Sequence, residues 1–80
     1  MAWSIVEVAR ASGVTSRTLR HYDAIGLLAP AGVGANGYRE YGPAELLRLQ
    51  QILVLRELGM PLEEIRAVLD AQQDLSLIHI

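Results

Sequence analysis

Two arginines stand one helical turn apart in a short polar segment of the chain. Residues 14–28 read VTSRTLRHYDAIGLL and hold Arg17 and Arg20 beside His21 and the hydroxyls of Thr15, Ser16 and Thr18. Arginine presents a planar fork of donors that fits a phosphate or a guanine edge, and hydroxyls near a helix N-terminus bind phosphate oxygens. These residue types at this spacing indicate nucleic-acid recognition. The residues alone leave open a second interpretation, in which the arginines form an ordinary solvated helix face.

The remaining residues offer little for catalysis or metal binding. The 80 residues contain no cysteine, and the two histidines, His21 and His79, are far apart in the sequence. Nucleophilic catalysis needs a nucleophile beside a base, and no such arrangement is recognisable. The paired Glu63 and Glu64 are typical of negative charge in the first turn of a helix. We therefore expect a protein that is not an enzyme, with no catalytic residue, no metal and no other cofactor.

Charge is distributed unevenly along a chain whose net charge is −2. Residues 1–42 carry four arginines and three acids, whereas residues 43–80 carry three arginines and six acids. Because nucleic-acid-binding domains are usually basic overall, any such role falls to the first half. No apolar run approaches the ~20 residues of a membrane span, and the start of the chain lacks the pattern of a signal peptide. We expect a cytoplasmic protein with no membrane partner.

Capping and glycine signals predict two helices joined by a short turn. Ser4 and Glu7 have the spacing of a capping box, Gly13 supplies the turn, Thr15 caps the second helix and Gly26 ends it. Such a pair is a helix-turn-helix when the outer face of its second helix is polar.

The second helix has that polar outer face. With Leu19 directed inward at 100° per residue, Tyr22 falls on the inner side, whereas Arg17 and Arg20 fall on the outer side. In a helix-turn-helix the second helix enters the major groove of duplex DNA, where these arginines would reach guanine edges or phosphates.

The rest of the chain predicts a hairpin and two further helices. Asn36-Gly37 is a hairpin-turn signal, and residues 38–41 alternate as a short strand does. A third helix opens at Gly42-Pro43 and stops at Gly59, and a fourth begins at Pro61. The third helix is apolar over most of its girth, which predicts the central core helix, through Leu46, Leu49, Ile52, Leu53 and Leu55. No internal repeat or second domain is apparent.

Two segments carry a resemblance to a known family, SIVEVARASGVTSRTLRHYDAIGLLAP and GYREYGPAELLRLQQILVLRELGMPLEEIRAVL. They closely resemble the N-terminal DNA-binding domain of MerR-family transcription regulators, nearest to the branch of multidrug- and thiopeptide-responsive activators. The likeness covers roughly residues 3–70. It implies a mainly α fold, a winged helix-turn-helix of four helices with a small β-hairpin wing.

The resemblance also implies a site and partners. The DNA contacts it implies are Thr15, Ser16, Arg17 and Arg20 in the recognition helix, Tyr22 at a phosphate, and Tyr38 with Arg39 in the wing. In such proteins a homodimer binds a pseudo-palindromic promoter operator in double-stranded DNA and distorts it, so that RNA polymerase is affected indirectly. The homodimer is expected only for the full-length parent, since family members dimerise through a long helix that follows the domain.

The sequence departs from the family at two places that matter. Residues 29–35, the leading arm of the wing, hold no basic side chain, so we expect fewer phosphate contacts there. After Asp70 the chain reads AQQDLSLIHI, without heptads long enough for a coiled coil. We therefore expect a domain at residues 1–70 and a short non-domain tail at residues 71–80, with neither dimerisation helix nor effector domain.

Two other functions fit the same residues. One is a stand-alone architectural DNA-binding protein similar to an excisionase, a family that usually has a more basic wing. The other is a protein-interaction module, or an antagonist of a full-length relative, for which the acidic second half leaves room. Salt-dependent binding to duplex DNA separates the two DNA-binding functions from the third.

Overall fold

Four helices and three short strands make up the protein, whose computed structural model describes residues 2–78. The strands are β1 (Trp3–Ser4), β2 (Gly32–Val33) and β3 (Arg39–Tyr41). The helices are α1 (Ile5–Ser12), α2 (Ser16–Ala24), α3 (Pro43–Glu57) and α4 (Leu62–Ile78). The four helices and the hairpin predicted from the sequence are confirmed.

The first two helices begin and end where the capping signals place them. The Ser4 Oγ accepts a hydrogen bond from the Glu7 backbone N–H at 3.2 Å, and the Glu7 carboxylate accepts from the Ser4 N–H at 3.0 Å. Gly13 ends α1 with a φ of 77°, a left-handed conformation that glycine adopts without strain, and its N–H bonds the Ala9 carbonyl. The chain can therefore reverse between the helices within three residues, and α1 and α2 pack against each other.

The three strands form one antiparallel sheet with β3 in the centre. On one side β3 pairs with β2 to make the predicted wing, and on the other it pairs with β1, with Trp3 opposite Tyr41. The wing turn is closed by a hydrogen bond from the Gly37 N–H to the Gly34 carbonyl. The predicted strand at residues 38–41 begins one residue later, at Arg39, and β1 was not predicted.

The core consists of apolar side chains from every helix and from the sheet. The buried residues of this core are Ile5, Val8, Leu19, Tyr22, Leu27, Leu28, Tyr41, Leu49, Ile52, Ile65 and Leu69. Helix α3 contributes Leu49 and Ile52 to this core, and Leu46, Leu53 and Leu55 pack against it, as predicted for the core side of this helix. Its far side exposes Leu47, Val54 and, at 76% exposure, the flanking Leu58. Helix α3 is thus amphipathic, with one side packed against the core and the other side exposed to solvent.

Helix α4 extends through most of the segment expected to be a tail. It begins at Leu62, directly after Pro61, with Glu63 and Glu64 in its first turn, as predicted. It then continues to Ile78. The structure therefore has no helix boundary at residue 70, and the division of the chain at that residue stays a prediction.

Candidate nucleic-acid interface

The outer face of α2 presents two arginines to solvent. Arg17 and Arg20 are exposed, together with His21 and Ala24, while Leu19 on the opposite side is fully buried. Among the described residues neither arginine has an ion-pair partner, because the salt bridges involve other arginines. Their spacing of three places them side by side on the helix surface. They are thus available to an external anion.

The N-terminal turn of α2 is fixed by its own hydroxyls. The Thr15 Oγ1 accepts from the Thr18 N–H at 3.1 Å and lies 2.9 Å from the Thr18 Oγ1. Thr15 is exposed and Ser16 is half-buried, so both predicted contacts lie at the tip of the helix beside Arg17. Backbone N–H groups and the positive end of the helix dipole favour a phosphate at this position.

Tyr22 is placed differently from the other predicted contact residues. Its side chain is 1% exposed, and its hydroxyl accepts a hydrogen bond from the Arg56 Nη1 at 2.6 Å. The inward direction predicted from helical periodicity is confirmed. A phosphate contact through Tyr22 is not favoured by this geometry, because the phenol packs in the core and its hydroxyl is engaged by α3.

Two arginines from the acidic half of the chain hold the C-terminal end of α2. The Arg48 Nε donates to the Leu27 carbonyl at 2.7 Å, and the Arg66 Nη1 donates to the Ile25 carbonyl at 2.9 Å. Asp70 joins them, since its carboxylate lies 2.9 Å from the Arg48 Nη2 and 3.9 Å from the Arg66 Nε. Ile25 caps the C-terminus of α2, where carbonyls lack intrahelical partners and are stabilised by such cations, and Leu27 lies in the segment that follows it.

Arg48, Arg56 and Arg66 were assigned no role from the sequence, and each has a structural role. Arg48, Arg56 and Arg66 bind groups 21, 34 and 41 residues away along the chain. The spacing of Arg66 and Asp70, four residues apart on one helix, was the only local signal. The consequence is that α2 is fixed at both ends and along its inner face, which leaves its outer face rigidly displayed.

The wing adds a second exposed element next to α2. Tyr38 is 50% exposed, and its backbone N–H donates to the Asn36 Oδ1, which orders the turn. Arg39, in the following strand, forms an ion pair from its Nε to the Asp23 Oδ2 at 3.3 Å. The structure thus brings the predicted wing residues to the same region of the molecule as the end of α2.

A buried phenol lies beneath this junction. Tyr41 is fully buried, and its hydroxyl has no hydrogen-bond partner among the described residues. Burial raises the pKa of Tyr41, because the phenolate would lose its hydration, and the nearby charges of Arg39, Asp23 and Arg20 act on the same group. Arg20 of α2 and Arg39 of the wing therefore both lie within electrostatic range of one buried hydroxyl.

The described part of the chain holds no cluster of three or more histidine, aspartate or glutamate side chains that could bind a metal ion. Within residues 2–78, none of the helices combines the length and the hydropathy that crossing a bilayer requires. His79 lies outside the described residues.

Comparison with known proteins also finds a helix-turn-helix family. Residues 3–72 match the sequence model of the MerR HTH family of regulatory proteins. The chain belongs to the MerR family. The fold is accordingly a MerR-type winged helix-turn-helix, the DNA-binding domain of transcriptional regulators, as the sequence predicted.

Individual relatives agree with this assignment. The chain is 59% identical over 68 residues to the HTH-type transcriptional regulator SkgA of Caulobacter vibrioides, which covers 85% of this chain. It spans 27% of SkgA, about a quarter of that relative's length.

Solved structures of MerR-family proteins superpose on most of the chain. MtaN, the N-terminus of the Bacillus subtilis multidrug transporter activator, matches with a TM-score of 0.77 and 40% identity, covering 96% of this chain and 83% of its own. HiNmlR, a MerR family regulator lacking the sensor domain and bound to promoter DNA, matches with a TM-score of 0.77 and 28% identity. That match covers 99% of this chain and 69% of HiNmlR.

Proposed function

We propose that this MerR-type domain binds double-stranded DNA in a sequence-specific manner, with α2 in the major groove. Arg17 and Arg20 read base edges or phosphates, Thr15 and Ser16 hold a phosphate at the helix tip, and Tyr38 with Arg39 contact the backbone beside the groove. The observation that carries the proposal is the pair of exposed arginines without an ion-pair partner among the described residues, on a helix fixed on its inner side.

The other arginines support this division of roles by contrast. Arg48, Arg56 and Arg66 are engaged by carbonyls, a phenol and a carboxylate within the domain. Arg17 and Arg20, by contrast, have no donor engaged by another residue of the described chain. The cations left free on α2 lie in the half of the chain that is positive overall.

We further propose that the parent regulator acts as a homodimer on a pseudo-palindromic promoter operator. Two copies of α2 would then occupy two half-sites, and deformation of the DNA between them would change how RNA polymerase engages the promoter indirectly. In support, the similar protein HiNmlR is a MerR family regulator whose structure was solved bound to promoter DNA.

The proposal is tested with duplexes that this chain itself enriches from a random pool. Fluorescence anisotropy would compare the wild type with Arg17→Ala and Arg20→Ala on an enriched and on a scrambled duplex, at several salt concentrations. A bidentate contact to guanine is worth ~1–3 kcal/mol of discrimination, so each variant should lose most of its preference for the enriched duplex. Circular dichroism should show unchanged helicity, since both side chains are exposed.

Arg10→Ala is the matched control. Arg10 is an exposed arginine in the last turn of α1, and its removal changes the net charge by the same amount. Arg10→Ala should leave affinity unchanged or weaken it equally for both duplexes, because a charge lost outside the groove carries no sequence information. Equal affinities of the Arg17 and Arg20 variants and the wild type for both duplexes would contradict the proposal.

A further inference from the structure

One ion pair joins the two elements of the proposed interface. Asp23 lies in the last turn of α2 and Arg39 begins β3, and the Asp23 Oδ2 accepts from the Arg39 Nε at 3.3 Å. Among the described residues this is the side-chain hydrogen bond that connects α2 with the wing. The placement of the wing arginine relative to α2 is therefore set by a carboxylate on α2.

The geometry of the pair leaves most of the guanidinium free. Arginine has five N–H donors, and the bond to Asp23 uses the single donor on Nε. The terminal Nη1 and Nη2 groups have no protein acceptor among the described residues, and the side chain is 38% exposed. A guanidinium held by its Nε edge presents its outer edge in a fixed direction, which suits bidentate binding of a phosphate.

A second arginine, Arg20 of α2, acts on the same buried group as this ion pair. The charges of Arg39 and Arg20 both act on the buried hydroxyl of Tyr41, as does the charge of Asp23. Asp23 and the two arginines, which belong to two different elements, therefore all lie within electrostatic range of one buried group. An acid in this place has two opposite possible effects on DNA, since it can orient Arg39 or simply repel phosphates.

We propose that Asp23 is a positioning residue for DNA binding, which holds Arg39 by its Nε so that the remaining donors face a backbone phosphate beside the groove occupied by α2. This role rests on the proposed function. It makes a prediction of unusual sign: removing a negative charge from a surface that faces DNA weakens binding, whereas repulsion alone predicts tighter binding.

The test compares Asp23→Asn with Glu40→Gln in the full 80-residue chain, on a duplex enriched by the wild type and at several salt concentrations. Glu40 is the residue next to Arg39 in β3 and forms no salt bridge among the described residues, so its variant removes the same charge nearby. Asparagine keeps only a neutral acceptor in place of the carboxylate, so Asp23→Asn should weaken binding about fivefold to tenfold, the scale of an ordinary hydrogen bond. It should also reduce the salt slope by about one phosphate contact. Glu40→Gln should bind about twofold tighter or unchanged.

Arg39→Lys provides a second variant, in case Asp23→Asn alters the fold. It keeps the charge but lacks the planar fork that serves a carboxylate and a phosphate at once, so it should bind as weakly as Asp23→Asn. Arg39→Gln should then cost much less in the Asp23→Asn background than in the wild type, since the two changes remove one contact.

Tighter binding by Asp23→Asn, to the extent seen for Glu40→Gln, would overturn the positioning role, as would equal costs of Arg39→Gln in both backgrounds. These results leave the proposed function intact if Arg20→Ala still abolishes sequence preference. Failure of the wild type to bind any duplex would instead overturn the proposed function, and the role of Asp23 with it.

Discussion

Arg48→Met should destabilise the domain by loosening the C-terminal end of α2. Methionine retains the apolar stem of the side chain while removing the guanidinium, so packing is largely preserved. Two interactions are lost, the hydrogen bond to the Leu27 carbonyl at 2.7 Å and the ion pair with Asp70 at 2.9 Å. Asp70 is 51% exposed, so its share is small, about 0–1 kcal/mol. The bond from a charged donor to Leu27, at a side chain only 21% exposed, is worth about 1.5–3 kcal/mol.

The loss is measured by urea denaturation followed by circular dichroism. A fall of about 2 kcal/mol corresponds to a drop in Tm on the order of 10 °C for a domain of this size. Arg10→Met is the control, because Arg10 is exposed and its change should stay within about 0.5 kcal/mol. Hydrogen exchange should be faster at the amide N–H groups of Leu27 and Leu28, which donate to the Tyr22 carbonyl. A free energy of unfolding within about 0.5 kcal/mol of the wild type would refute the structural role of Arg48.

Three further predictions follow from the sheet, the wing and the proposed dimer. Tyr41→Phe should leave the domain equally or more stable near neutral pH, since it removes a buried hydroxyl without a partner; Tyr38→Phe, at an exposed phenol, is the control. Burial raises the pKa of Tyr41 above its ordinary 10.0, so at higher pH the folded state retains a proton that the unfolded chain loses. The free energy of unfolding should therefore fall as pH rises above that value. Tyr41→Phe should flatten this fall in urea titrations at alkaline pH. Gly37→Ala should cost about 1 kcal/mol at a φ of 84°, whereas Gly32→Ala in the same wing, also with open space around it, should cost almost nothing in thermal melts. The 80-residue chain should bind a palindrome barely better than a half-site in anisotropy titrations. A leucine zipper joined after Asp70 through a flexible linker should tighten palindrome binding by up to ~10²–10⁴. An unchanged affinity of the fusion would argue against binding of two half-sites by a dimer.

Local signals account for the elements that the sequence predicted. Ser4 with Glu7, and Thr15 with Thr18, form caps within three residues. The starts of α1 and α2 are therefore determined by neighbours along the chain. The separation of α2 into a buried side and an exposed side follows from helical periodicity alone. Its exposed arginines were predictable for the same reason.

Features that depend on distant partners were not predictable. Strand β1 has two residues and exists because Trp3 pairs with Tyr41, 38 positions away, so no alternation marks it. The exposure of Leu47 and Val54 on α3 depends on which side of the helix other elements leave uncovered, which their apolar character does not indicate. The capture of Arg39 by Asp23 likewise requires the wing to fold back on α2.

The central claim is that α2 and the wing form the surface that meets DNA. It is tested most directly by recording amide ¹H–¹⁵N spectra of the labelled chain while an enriched duplex is added. We expect the largest shifts at residues 15–20 and at Tyr38 and Arg39, with little change along α3. Shifts centred on the exposed apolar side of α3, at Leu47, Val54 and Leu58, or the absence of any shift, would contradict it.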